Sequence, residues 1–321
     1  MMKVYEYQQL SLKNPIVRAA TNDYCGNENG TISEEQLLLY ERLAKSGIGL
    51  LITGNFYISE DGKLDWTQNA IDETFDQSGA EKLVETVHRS GSKIVFQISH
   101  AGRKTKISEA LSQKYDRSES FADERIRQLV RMFAVAASRA GQAGADGVQI
   151  HFGHGYLLSQ LLTERADGID ITKQILEEVK KEVGNLPVLV KVNTDIREKI
   201  LRQFCKVCEE NEIWAIELSG SDFPDKKSTE HLYYQSAVGK CRDACKVPII
   251  LTGGIRNSED IQEAFRQGAA LVGMSRPFIR NPDLMKVLEE QGSACISCNQ
   301  CFRIYHKEKR HCVFRGEGDQ V

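Results

Sequence analysis

Eight times along its 321 residues the chain alternates a short apolar run with a stretch of helical periodicity, and that alternation limits the fold. The runs lie at 15–20, 48–53, 93–98, 147–151, 187–192, 214–218, 247–251 and 270–274, and each reads as a buried strand. Between them, Ser33-Glu-Glu-Gln36 has the pattern of a capping box, opening a helix that turns Leu37, Leu38 and Leu43 inward and stops at Gly47. A second helix is expected over 79–89. Ile126, Leu129, Val130, Phe133 and Ala137 mark a long amphipathic one. Others are expected over 171–183, through Ile200 and Phe204, and on either side of the last strand. No linker or low-complexity segment interrupts the series. Consecutive β-α units predict one α/β domain, a single (β/α)8 TIM barrel over residues 1–292, rather than two doubly wound halves. A Cys-rich tail, 293–321, is expected to pack on it.

Bulk properties narrow the function classes. A formal net charge of -3 argues against a general nucleic-acid binder. No apolar run is long enough to span a bilayer, and the opening Met-Met-Lys-Val-Tyr-Glu-Tyr is too polar for a secretory core. The expectation is a cytoplasmic protein with a small-molecule substrate and no nucleic-acid or membrane partner; homo-oligomer formation stays open. Nine cysteines without an export signal point to reduced thiols. Cys205 with Cys208, and Cys241 with Cys245, sit one helical turn apart and are expected to pack.

In barrels of this kind the loops after the strands form the active face. That rule gathers Ala20, Thr21, Gly54, Gln97 to His100, His151 to Tyr156, Lys191, Glu217 to Ser219, Gly253, Gly254, Ser275 and Arg276 at one mouth. His151, His154 and Tyr156 could grip an anionic oxygen with two imidazoles and supply a proton from a phenol. They could also be a metal pair or surface histidines, although no carboxylate or third imidazole is close in sequence. Gly253-Gly254 after the seventh strand and Ser275-Arg276 after the eighth match the phosphate site of such barrels. Backbone N–H groups, a helix start and a forked cation would face the phosphate there. Gln97 and Lys191 suit a polar heterocycle that becomes anionic on reduction, such as a flavin. Lys191 could instead be a Schiff-base lysine of a lyase.

Four segments carry a resemblance over nearly the whole chain. They are Arg18-Ala-Ala-Thr-Asn22, Gln97-Ile-Ser-His-Ala-Gly-Arg103, the run Asp146-Gly-Val-Gln-Ile-His-Phe-Gly-His-Gly-Tyr-Leu157, and Thr252-Gly-Gly-Ile255 through Gly273-Met-Ser-Arg-Pro277. In this order they resemble the old yellow enzyme family of FMN-dependent ene-reductases. The resemblance implies FMN as cofactor and NADH or NADPH as reductant. Ala20, Thr21 and Gly54 would line the flavin ring, Gln97 would bond its pyrimidine end, and Lys191 would stand near the N1–C2 carbonyl edge. Gly253, Gly254, Ser275 and Arg276 would hold the phosphate. His151 and His154 would bind the carbonyl oxygen of an α,β-unsaturated substrate, and Tyr156 would protonate its α-carbon after hydride from flavin N5 reaches the β-carbon. A flavin-binding sensor or scaffold is the other reading of the same barrel.

Three departures from the family pattern bear on this. Its members carry a longer insertion after the His-Gly-Tyr segment, whereas this chain passes from Gln160 to Ile169 almost directly into the next helix. The cysteine that faces the flavin in one branch has no secure counterpart, and Cys25 is expected to be a loop residue. Larger relatives with an iron–sulfur cluster have Cys-x2-Cys-x3-Cys and a fourth Cys about a dozen residues on. Here Cys295, Cys298, Cys301 and Cys312 are one residue short in the second gap. Four thiolates could hold a [4Fe–4S] cluster or zinc. With no second domain before Val321 to pass electrons through it, the expectation leaves metal out.

Overall fold

The computed structural model describes residues 4–7, 10–117, 121–226, 229–302 and 309–314. Its strands are β1 (Tyr5–Tyr7), β2 (Leu10–Leu12), β3 (Ile16–Arg18), β4 (Leu50–Ile52), β5 (Phe56–Tyr57), β6 (Lys93–Ser99), β7 (Gly147–Phe152), β8 (Val188–Asn193), β9 (Ala215–Ser219), β10 (Ile249–Thr252) and β11 (Leu271–Met274). All eight apolar runs became parallel strands covered on both faces, which is why they carry almost no exposed polar side. Neighbours pair in order from β6 to β11. The ring closes where β11 meets β3 (Val272 opposite Ile16, Gly273 opposite Val17) and β4 meets β6 (Leu51 opposite Ile94). The predicted (β/α)8 barrel is therefore observed.

The outer layer comprises α1 (Glu34–Lys45), α2 (Gln77–His88), α3 (Glu109–Lys114), α4 (Asp123–Gln142), α5 (Leu157–Glu164), α6 (Gly168–Val183), α7 (Glu198–Glu210), α8 (Gln235–Arg242), α9 (Ser258–Arg266) and α10 (Arg276–Arg280). At α1, Ser33 accepts from the Gln36 N–H at 3.0 Å. Only that half of the capping box forms, because the Gln36 side chain donates instead to Asn69 at 2.7 Å. The short passage after Tyr156 also has structure. Tyr156 is the N-cap of α5, and only 165–167 separate α5 from α6.

Alternate residues of a strand share a face, so each strand feeds one column into the barrel axis. The columns begin apolar and end polar: Val95 then Gln97, Leu189 then Lys191, Ala215 then Glu217, Ile250 then Thr252. Val17, Leu50, Ile52, Val95, Leu189, Ala215, Ile250 and Leu271 form the inner core. The β1–β2 hairpin closes its lower end: Leu10 and Leu12 join the inner core, and Tyr5 meets Trp214 edge-on at 6.3 Å between centroids. No strand was expected there, because each is only three residues long and both lie outside the β-α rhythm. Leu12→Ala should empty part of this plug and cost about 2–5 kcal/mol, read as a lower urea midpoint with unchanged slope.

Candidate functional site

The polar ends of the columns open into a cavity of about 370 Å³ at the C-terminal ends of the strands. Ala20, Thr21, Gln97, His151, His154, Tyr156, Lys191, Gly253, Gly254, Ser275 and Arg276 all line it. Gly54 does not. It lies behind Thr21 beside a smaller cleft, donates its N–H to the Tyr40 hydroxyl at 3.1 Å, and has no room for a Cβ, which would meet the Thr21 carbonyl at 2.9 Å. Cys25 lines the same small cleft, where burial pushes its thiol well up from the usual range.

The floor is a fully bonded polar network. Glu217, 0% exposed, accepts from Lys191 at 2.8 Å, Thr252 at 2.9 Å and Gln149 at 2.8 Å; Gln149 in turn accepts from Gln97 at 2.7 Å. Such a group of buried polar side chains persists because every member has a partner. Lys191, expected from the sequence at the mouth, is held in place by a carboxylate the sequence did not announce. Its nitrogen is paired with the Glu217 carboxylate at 2.8 Å.

One wall is built by the turn out of β7. His154 (φ 57°) and Gly155 (φ 71°) are both left-handed, a pair that folds the chain back over the strand it has just left. The His154 N–H donates to Asn193 Oδ1 at 3.0 Å, anchoring the turn. A Cβ at Gly155 would lie 2.8 Å from Lys104 Cε. As a result His154 Nδ1 stands 3.3 Å from His151 Nε2, and the Tyr156 ring meets His151 edge-on at 4.8 Å. Burial lowers both imidazoles, with the cation of Lys191 adding to it; His151 falls well below its usual range and His154 to about 3. Both are neutral near pH 7. Burial, then the nearby Asp65, pushes the Tyr156 phenol up, while a hydrogen bond with Asn55 opposes this. Tyr156 therefore keeps its proton. The buried His151 Nδ1 has no partner of its own.

The opposite end carries the two glycine loops. Gly253 (φ 128°) and Gly254 (φ 74°) adopt backbone that side chains disfavour, and Tyr233 and Tyr234 press against them so closely that a Cβ on either would come within 2.8 Å of a ring atom. Ser275 Oγ meets Thr21 Oγ1 at 2.8 Å. Arg276 bonds Asn299 at 2.6 Å and lies over the rings of Phe223 and Tyr233. The helix that follows, α10, has only five residues.

Several lining residues escaped the sequence. Asn55, which lines the cavity, and Asn193, which anchors the turn out of β7, lie at or just past strand ends, where the same rule would have found them. Arg310 carried no local signal, because it reaches the mouth from the far end of the chain. It bonds the carbonyl oxygens of Asn22 at 2.5 Å and Cys301 at 3.0 Å and stacks on Tyr24 and Phe302. Cys295, Cys298, Cys301 and Cys312 line a separate cavity of about 240 Å³ behind Arg276. Burial raises Cys295, and raises Cys301 to about 11. Among the described residues no three His, Cys, Asp or Glu side chains are arranged to hold a metal. Cys205, Cys208, Cys241 and Cys245 pack in the outer core, as expected.

Fold and cavity place the chain among (β/α)8 barrels with a ligand site at the strand C-termini. The model of the NADH:flavin oxidoreductase / NADH oxidase family matches residues 5–168 and 171–293. The NADH oxidase of Thermoanaerobacter brockii is 26% identical over 335 residues, covering 90% of this chain and 51% of its own, so the chain spans about half the length of that relative. The NADPH dehydrogenase of Clostridium acetobutylicum is 24% identical over 313 residues, with 88% of this chain and 92% of its own covered. The old yellow enzyme homologue of Zymomonas mobilis superposes with a TM-score of 0.77 at 20% identity, over 89% of this chain and 91% of that one. The chain belongs to the NADH:flavin oxidoreductase / NADH oxidase family, that of old yellow enzyme, with FMN as cofactor. No helix among the described residues is long and apolar enough to cross a membrane.

The lowered histidines make stability pH-dependent. An unfolded histidine takes up a proton below about pH 6.5, which folded His154 declines until about 3. Their contribution is complete above pH 6.5 and lost as pH falls toward 3. His154→Asn, whose side chain tolerates the left-handed turn, should relieve about 1–2 kcal/mol of the destabilisation between pH 7 and 5. Urea melts of both proteins across that range check it.

Proposed function

We propose that this protein reduces activated C=C bonds of α,β-unsaturated carbonyl-type substrates with NADH or NADPH, using FMN held in the 370 Å³ cavity. The observation that carries the reading is the neutral His151–His154 pair, set at 3.3 Å beside a protonated Tyr156 on the wall of that cavity. The residues fit FMN: a glycine-lined end with Ser275 and Arg276 for the phosphate, and a floor where Gln97 and Lys191 would hold the pyrimidine edge. Ala20 and Thr21 would line the ring; Gly54 would act from behind Thr21, through backbone packing. The buried, partnerless His151 Nδ1, on a residue that lines the cavity, is what a polar group at a ligand site looks like before the ligand supplies its bond. When bound, FMN supplies the hydride that reaches the substrate β-carbon.

The chain's own residues do the rest. Each neutral imidazole has one N–H, and an oxygen entering between His151 and His154 would replace the contact they make with each other. Two donors on a carbonyl oxygen draw electron density from the alkene and stabilise the charge that develops there. Tyr156 would then give its proton to the α-carbon. Two phenylalanines, Phe223 and Phe302, meet near the mouth at 4.9 Å between centroids, tilted by 48°, and would help keep water out. Lys104, at the cavity edge near His154, adds positive potential on the substrate side. The division into a barrel, 1–292, and a Cys-rich tail, 293–321, is supported by the end of the family match at residue 293 and by Arg310 crossing back to Asn22.

An absorption spectrum of the purified protein tests the reading. Flavin bands should bleach with anaerobic NADH or NADPH and return on adding an enone. Protein that takes up no FMN, or reduced flavin that an enone fails to reoxidise, would sink the proposal. Tyr156→Phe should slow reoxidation by the enone roughly 10²-fold, with flavin reduction and binding of phenols retained. A flavin-binding sensor or scaffold would show no such selective loss in stopped-flow traces.

A further inference from the structure

We infer that Glu217 is a positioning residue for the flavin, fixing which atoms the barrel floor turns toward the pyrimidine edge and offsetting the charge of Lys191 there. The inference rests on the flavin placement proposed above and concerns a residue of β9 that makes no direct claim on substrate.

The argument follows from hydrogen-bond polarity. A carboxylate has no proton to give, so the three groups around Glu217 must all donate: the Lys191 ammonium, the Thr252 hydroxyl and the Gln149 amide. Gln149 therefore turns its NH2 to Glu217 and its carbonyl oxygen to Gln97. Gln97 must then spend one amide hydrogen on Gln149, at 2.7 Å. What Gln97 has left for a ligand is its carbonyl oxygen and its second N–H. The pyrimidine edge of a flavin offers one ring N–H flanked by carbonyl oxygens, which is the complement of that pair. An amide at position 217 could be satisfied with either end toward Gln149, and both glutamines would be free to flip.

Charge supplies the second half. A buried cation beside a ring that gains negative charge on reduction favours the reduced form. Glu217, at 2.8 Å from Lys191 and without solvent contact, cancels much of that field. The pair holds the ring by geometry and leaves its preference between oxidation states only mildly biased. Burying such a pair costs solvation, and its retention at the base of the cavity needs a reason beyond packing, since Ile250, Leu189 and Ala215 fill the layer below without charge.

The test uses the FMN-loaded protein and two variants of near-native volume. Glu217→Gln should raise the preference for reduced over oxidised FMN at least tenfold, read as a midpoint potential about 30 mV more positive for a two-electron couple. Gln149→Leu leaves the Lys191–Glu217 pair intact and breaks only the relay. It should weaken oxidised FMN about tenfold in a fluorescence titration, with the reduced-to-oxidised preference unchanged. A Glu217→Gln protein whose preference stays within threefold of the parent overturns the inference, as does a Gln149→Leu protein that binds FMN as tightly as the parent. If Glu217→Gln does not fold, Gln149→Leu still decides the positioning role. A parent protein that binds no FMN would overturn the flavin reading itself, a result distinct from either.

Discussion

Closure of the sheet, where β11 lies against β3 and β4 against β6, is the constraint on which everything else rests. A closed ring has no free edge and leaves each strand only two directions for its side chains, outward to the helices or inward to the axis. With the register fixed all round, a residue's parity decides whether it belongs to the outer core or to the axial column. That is how Gln149 from β7 and Glu217 from β9, 68 positions apart, come to share a hydrogen bond. It also explains why the columns can begin as oil and end as a polar floor within three or four residues.

The barrel was legible because its signal repeats. Each strand is a short apolar run, each helix an amphipathic stretch, and the rule that polar residues beyond strand ends face the mouth needs no tertiary information. Ala20, Thr21, Gln97, Lys191, the histidines, Tyr156 and the two glycine loops were placed at the mouth by that rule and lie there. The β1–β2 hairpin was missed because its strands are short and lie outside the β-α rhythm. Gly54 sits behind the cavity because the chain after β4 continues into β5 instead of turning at once over the mouth. Partnerships were harder to read than positions. Nothing local to Lys191 announces Glu217, and nothing near the histidines announces that they meet each other or that Asn193 ties down the backbone between them.

Those partnerships change the chemistry assigned to familiar letters. A lysine deep in the barrel acquires a carboxylate partner at 2.8 Å, and two histidines three positions apart meet ring to ring at 3.3 Å. The same low-dielectric surroundings that hold the imidazoles neutral keep the neighbouring phenol protonated. One environment thus prepares both the oxygen clamp and the proton source, with no need for separate tuning of each.

Arg310 links the last described segment to the first loop of the barrel: its backbone N–H bonds the Asp23 carbonyl oxygen at 2.7 Å and its side chain reaches Asn22. Synthesis runs the other way, from residue 1 onward at about 5–20 residues per second. Loop 21–25 must therefore wait until all eight barrel strands have been made before its partner exists. The cavity wall is thus joined from segments nearly three hundred positions apart, and it is complete only once both have been made.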